Sequence, residues 1–304
     1  MSLTFEVTRI LALATIAFLI AMALTPILIR FLYKYRLGKQ IRTEGAPIFS
    51  SLHKKKEGTP TMGGILIWFT VLILALGFSV LDSLFDGFWA KLNFLSRPQT
   101  LLPLGVLVAS ALMGLGDDLL GIFRIGPKGG GLKMRHRLLV YTAIAIVGAW
   151  WFYFKLDWNI LFIPFLGNFI VGFWYIPIFI FVIVATAFSL NETDGLDGLA
   201  GGVSLVAFAS FGVIAFFQGR YDLAAFCAAI VGALVAFLWF NVYPARFFMG
   251  DTGSMSLGVT LGVIAMLTNS LFLLPFICFV MVLESSSVIL QVLSKKLRKK
   301  KIFL

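Results

Sequence analysis

Four side chains in one short stretch could do chemistry. Asn191, Glu192, Asp194 and Asp197 stand among glycines in NETDGLDGLAGG, residues 191–202. The stretch joins two apolar runs, Phe169 to Leu190 and Leu199 to Phe217. A carboxylate at a bilayer edge is costly to desolvate, so it ordinarily has a functional partner. Glycines let a backbone come close to a ligand. The second run predicts a helix whose N-terminal amides point back at the loop, where a phosphate would be held. If that helix begins near Asp194, Asp194 and Asp197 share one face of its first turn. There they could bind a metal, orient its waters or hydrogen-bond a polar substrate group. N-capping would need one of these acids, not two.

Three further strings carry related chemistry. In GLGDDLLG, residues 114–121, Asp117 and Asp118 are adjacent at a predicted helix C-terminus, where the macrodipole is already negative. That field needs a metal ion, a lysine or a proton to offset it. Mg²⁺ suits an oxygen-only site, and without it the two acids would titrate as a coupled pair. In WFNVYPARFFMGDTGSMSLG, residues 239–258, Asp251 opens another apolar span, again at a helix N-terminus. Phe247 and Phe248 could stack on a flat ring, and Asn241 could read the amide-like edge of a base. In SLHKKKEGTPTMGG, residues 51–64, Thr61 is placed to cap the helix that follows, and Lys56 is assigned to face substrate. Solvated acids, plain caps and a basic loop would each explain one string. Together the strings describe phosphoryl transfer from a nucleotide diphosphate, with Mg²⁺ as cofactor.

The elements that position these residues are helices in a bilayer. The chain has 304 residues, 60% of them hydrophobic and 13% charged, with a mean hydropathy of +0.98. Soluble domains run at about 45–50% apolar and about 25% charged. Windows of about 20 apolar residues follow one another, each long enough to cross a bilayer core. The fold class is therefore all-α and polytopic, read as one integral membrane domain over 1–304. Nine spans are predicted, at roughly 8–32, 62–81, 101–120, 137–154, 169–190, 198–218, 223–240, 253–270 and 272–294. Residues 158–167, aromatic with Pro164, are too short to span and predict an interfacial hairpin. The first run lacks a small-residue cleavage site and is read as a retained helix. Cys227 and Cys278 fall in apolar runs and are read as packing residues.

Alternate connections hold 20 of the 25 Lys and Arg residues. By the positive-inside rule they face the cytoplasm, which puts the N-terminus outside and the C-terminus inside. The same placement argues against nucleic acid as the partner of the +11 net charge. The tail KKLRKKK reads as a stop-transfer and anionic-lipid patch. Asp117, Asp118, the 191–197 stretch, Asn241, Asp251 and the 53–56 string then all fall on the cytoplasmic face. One active site at the membrane edge is the economical reading, and its acceptor should be a lipid.

Five ordered strings, HKKKEGTPTMGG, the Asp117–Asp118 pair, NETDGLDGLAGG, FMGDTGS and ESSSVILQV, resemble the bacterial phospho-N-acetylmuramoyl-pentapeptide transferases. These belong to the polyprenyl-phosphate N-acetylhexosamine-1-phosphate transferase superfamily. The resemblance covers nearly the whole chain. It implies transfer from UDP-N-acetylmuramoyl-pentapeptide to undecaprenyl phosphate in the bacterial inner membrane, giving lipid I and UMP with Mg²⁺. By motif position, Asp251 would be the metal ligand, and Asp117 and Asp118 would handle the lipid phosphate, with Asp117 as its base. Asn191, Asp194, Gly195, Leu196, Asp197, Asn241 and Phe248 would bind the nucleotide sugar, with Lys56, Thr61 and Gln291 lining the nucleotide side. Direct attack and an aspartyl intermediate both fit, and a homodimer is a family expectation. Where the family has a lysine shortly after the Asp pair, this chain has Gly121. The family continues beyond the position of Leu304 into a histidine-bearing loop and a tenth span, so a nine-span form is expected. The rival readings are an N-acetylglucosamine-1-phosphate transferase, an inactive relative, and an ion-coupled transporter resting on Glu284.

Overall fold

A computed structural model describes residues 2–38, 58–85, 87–95, 98–126 and 130–298. Helices account for about three quarters of it. In chain order they are α1 (Leu3–Lys34), α2 (Ile65–Leu84), the short α3 (Phe88–Leu92), α4 (Pro98–Ile122) and α5 (Met134–Trp150). After α5 come a π-helical turn (Trp151–Lys155) and the strands β1 (Ile160–Ile163) and β2 (Gly167–Ile170). Then follow α6 (Tyr175–Thr193), α7 (Leu199–Phe217), α8 (Tyr221–Asn241), α9 (Asp251–Leu267), α10 (Leu274–Ile277) and α11 (Phe279–Arg298). Lipid offers no partner for a bare peptide group, and a helix satisfies its own.

Among the described residues, seven helices are long and apolar enough to cross a membrane. An eighth span forms if α10 and α11 are taken together across an 81° bend. This is a multi-pass membrane protein. The predicted spans fall mainly on helices, but 272–294 is not one continuous rod. Cys278 leaves the helical region at φ −99° and ψ 30°, and α11 sets off in a new direction. The predicted hairpin is present as β1 and β2, antiparallel with Ile160 opposite Ile170 and Ile163 opposite Gly167. Its second strand extends to Ile170 and so takes up residues 169–170, which belong to the fifth predicted span.

The element that organises the bundle is α9. It has 17 residues and all of them are buried, against α2, α4, α6 and α7. A helix enclosed on all sides must be small-sided as well as apolar, so that its neighbours can come close. Glycine, serine and threonine supply this, and the hydroxyls turn back on the helix itself. Ser256 Oγ donates to the Thr252 carbonyl at 2.7 Å and Thr260 Oγ1 to the Ser256 carbonyl at 2.7 Å.

At the end of the bundle away from the acidic loops, a charged knot ties α1 to α8. Arg9 Nη2 donates to Asp222 Oδ1 at 2.7 Å and to the Asn93 carbonyl at 3.0 Å, while Nη1 reaches Glu6 Oε2 at 3.2 Å. Glu6 and Arg9 are buried. Removing one member of a buried ion cluster costs about 3–5 kcal/mol, because the remaining charges lose their partner in a low dielectric. Arg9→Leu is therefore expected to lower the melting temperature in detergent, with Arg9→Lys recovering part of the loss. A melting temperature unchanged in Arg9→Leu would show the knot to be passive.

Candidate active site

The acids predicted to converge do so at one end of the bundle, around a residue the sequence reading had counted only as a topology charge. Arg137 lies in the first turns of α5. Its Nε is 2.7 Å from Asp117 Oδ2, its Nη2 donates to Asp251 Oδ2 at 2.9 Å, and its Nη1 donates to Asn191 Oδ1 at 2.9 Å. Three helices, α4, α9 and α6, thus each present one oxygen to a single guanidinium. The second oxygens are also used. Asp117 Oδ1 accepts from the Leu132 amide at 2.5 Å, and Asp251 Oδ1 accepts from Asn191 Nδ2 at 2.7 Å. Asn191 Nδ2 also reaches Ser254 Oγ at 2.9 Å. The signal for Arg137 was its place as the last of a run of cations, after Lys133 and Arg135, directly before an apolar span and on the side of acids that needed an offsetting charge.

The adjacent acids on α4 face different partners. A helix turns about 100° per residue, so neighbours cannot share a face. Asp117 turns to Arg137, whereas Asp118 Oδ2 accepts from the Thr252 amide at 3.0 Å. Asp118 thus caps the first turn of α9 from another helix, its negative charge against the positive end of the α9 macrodipole. The predicted need for an offsetting charge is met here by an arginine and a helix N-terminus. The pair also lies within α4, which continues to Ile122.

Two expected helix starts are corrected. Asp194 and Asp197 do not share the first turn of a helix, because α6 runs on to Thr193 and α7 starts at Leu199. They hang in the connecting loop and reach across to the 242–250 loop. Asp194 Oδ2 accepts from the Gly250 amide at 3.2 Å and Asp197 Oδ2 from the Ala245 amide at 3.4 Å. Gly195 and Leu196 form the exposed rim between them. Thr61 does not cap α2, which starts at Ile65 after Gly64. The Gly63 and Gly64 amides are satisfied instead by the Phe248 and Met249 carbonyls, both at 2.8 Å. The side chain of Thr61 is buried against Gly250, where Asp118 also arrives. A Cβ at Gly250 (φ 75°) would lie 2.6 Å from Asp118 Oδ2 and 2.7 Å from Thr61 Oγ1.

The remaining candidates divide. Asn241 has spent both ends of its amide, Oδ1 on the Gly198 amide at 3.0 Å and Nδ2 on the Phe247 carbonyl at 2.9 Å. It clasps the two loops instead of presenting an edge to a base. Phe247 is fully buried against Phe237 and Phe240, while Phe248 remains half-buried at the site. Gln291 lies on α11 and bonds Ser287 of its own helix at 3.4 Å. His53 and Lys56 lie outside the described residues.

With this geometry in hand, the relatives are informative. The sequence model of glycosyl transferase family 4 matches residues 100–269, and a phospho-N-acetylmuramoyl-pentapeptide-transferase signature matches residues 56–67. The phospho-N-acetylmuramoyl-pentapeptide-transferase of Chloroflexus aurantiacus (strain J-10-fl) is 39% identical over 293 residues, covering 94% of this chain and 75% of that protein. Those of Geobacillus sp. (strain WCH70) and Thermoanaerobacter sp. (strain X514) are each 39% identical, covering 97% of this chain and 86% and 87% of theirs. The chain belongs to the phospho-N-acetylmuramoyl-pentapeptide transferase family.

Within the region matched by the glycosyl transferase family 4 model lie Asp117, Asp118, Arg137, Asn191, Asp194, Asn241 and Asp251, and the narrower signature takes in Lys56 and Thr61. Among the described residues no three His, Cys, Asp or Glu side chains form a ready metal-binding group. Mg²⁺ does not need one. It is commonly held by one or two carboxylates together with substrate phosphates and water. Asp117, Asp251 and Asn191 already surround a cation with hard oxygen donors, which is the donor chemistry Mg²⁺ takes.

Proposed function

We propose that this chain transfers phospho-N-acetylmuramoyl-pentapeptide from UDP-N-acetylmuramoyl-pentapeptide to undecaprenyl phosphate, forming lipid I and releasing UMP. The observation that carries the reading is the cradle of Asp117, Asp251 and Asn191 around a cation, beside the N-terminus of α9. The bundle end that holds this cradle is assigned to the cytoplasm, because the connections on that side carry most of the Lys and Arg residues. A nucleotide sugar would reach the site from water and the lipid phosphate from the bilayer edge.

In the proposed reaction, an oxygen of the lipid phosphate attacks the sugar-linked phosphorus. A new phosphoanhydride bond forms, the bond from that phosphorus to the bridging oxygen breaks, and UMP leaves with that oxygen. A phosphate monoester has its second pKa near about 6, so at neutral pH the nucleophile is largely deprotonated already. Asp117 would take the proton from the residual monoanion. The harder task is to bring two anions together, which calls for positive charge more than for a base. The α9 N-terminus and Arg137 supply part of that charge. Mg²⁺, held by Asp251 with Asp117 nearby, would neutralise diphosphate charge and polarise the phosphorus under attack. Asp194, Asp197, the Gly195–Leu196 rim and Phe248 are assigned to the uridine, with Lys56, Thr61 and Gln291 lining the nucleotide side. Asn191 positions Asp251, and Asn241 holds the two loops in register. Assembly as a homodimer in the membrane is part of the proposal.

The test is to offer purified protein undecaprenyl phosphate and Mg²⁺ with either UDP-N-acetylmuramoyl-pentapeptide or UDP-N-acetylglucosamine. Lipid-linked product and UMP are expected from the first nucleotide. Exclusive use of the second would overturn the assignment.

A further inference from the structure

We infer that Arg137 is a displaceable counter-cation, occupying the acid cradle in the metal-free protein and giving it up when a dication and the diphosphate arrive. The inference rests on the proposed metal role of Asp251 and goes beyond it. Asp117 Oδ1 and both oxygens of Asp251 accept from protein donors at 2.5–2.9 Å, and Asp117 Oδ2 is ion-paired with Arg137 Nε at 2.7 Å without hydrogen-bond geometry. A dication held between these two carboxylates at about 2.0–2.1 Å would stand where the guanidinium now bridges Asp117 Oδ2 and Asp251 Oδ2, so the group in that space must leave. The Leu132 amide is backbone. Asn191 is held by a second bond from the same Nδ2 to Ser254 Oγ at 2.9 Å. Arg137 is a long side chain on flexible torsions, and it alone carries a positive charge that would repel the incoming metal.

The displaced guanidinium has a destination. Its planar fork suits phosphate oxygens in a bidentate arrangement, and the diphosphate would bind beside the same carboxylates. Arg137 would thus move from Asp251 to the substrate, so that metal loading and nucleotide binding favour each other. Without metal, the same pairing keeps two buried carboxylates from repelling one another.

The proposal makes a prediction opposite to that for an ordinary site residue. Mn²⁺ binding to the nucleotide-free full chain in detergent would be measured by calorimetry and electron paramagnetic resonance for wild type, Arg137→Gln and Arg137→Lys. Removing a positive charge from beside the ligand oxygens should tighten Mn²⁺ binding by about tenfold or more in Arg137→Gln, with Arg137→Lys between it and wild type. In EDTA the Arg137→Gln melting temperature should fall, and Mn²⁺ should raise it by more than in wild type. UMP binding in the presence of metal should weaken in Arg137→Gln. Equal or weaker Mn²⁺ binding in both variants would overturn the inference and leave the metal assignment standing. Failure of wild type and both variants alike to bind Mn²⁺ would overturn that assignment, and the inference with it.

Discussion

Asp251→Asn is expected to lower lipid-linked product formation by about a thousandfold or more while leaving a folded protein. A metal-held charge at a phosphoryl-transfer site contributes several kcal/mol, and each factor of ten in rate corresponds to about 1.4 kcal/mol. The amide matches the carboxylate in shape, and its oxygen can still accept from Asn191 Nδ2. Arg137 keeps Asp117 and Asn191 as partners. Stability should therefore change far less than rate. Initial rates measured alongside thermal melts separate the two, and excess Mg²⁺ should not restore the rate. Retention of more than about a tenth of wild-type activity would remove Asp251 from the proposed centre.

The second large effect is expected where α4 crosses α9. A Cβ at Gly114 would lie 2.3 Å from the Asp251 carbonyl oxygen and 2.7 Å from Thr252 Cα. Both are backbone atoms, so no side chain can rotate out of the way. Gly114→Ala must push the helices apart, at about 3 kcal/mol or more, and would separate Asp117 and Asp118 from the α9 N-terminus they serve. Loss of most activity with a marked fall in melting temperature is the expected result. Gly116 provides the control on the same helix, since a Cβ there meets nothing within 4 Å. Gly116→Ala should leave stability unchanged or slightly raised, because alanine is the better helix former. If both variants behaved alike, the α4–α9 contact would not be what holds the site.

Hydropathy acts locally and adds up along the chain, so the sequence by itself determined the membrane class, the helices and the hairpin at 158–167. It also determined the family, because ordered strings of site residues survive as text. It placed the acids at one end of the bundle, since alternate connections share a side. The tertiary structure alone decided what each acid touches. Asp117 and Asp251 are joined through Arg137, which lies 114 residues from Asp251, and no periodicity reports a contact across such a separation. Asp118 serves as the cap of a distant helix, and Asn241 as a clasp between loops. Thr61 leaves its expected cap because the backbone of the 247–249 loop fills that role. The bend at Cys278 follows Pro275 by three residues, but a proline in an apolar run does not say by how much the helix will turn. Composition says which groups must avoid lipid and which must find a partner, but the choice of partner depends on how the helices cross.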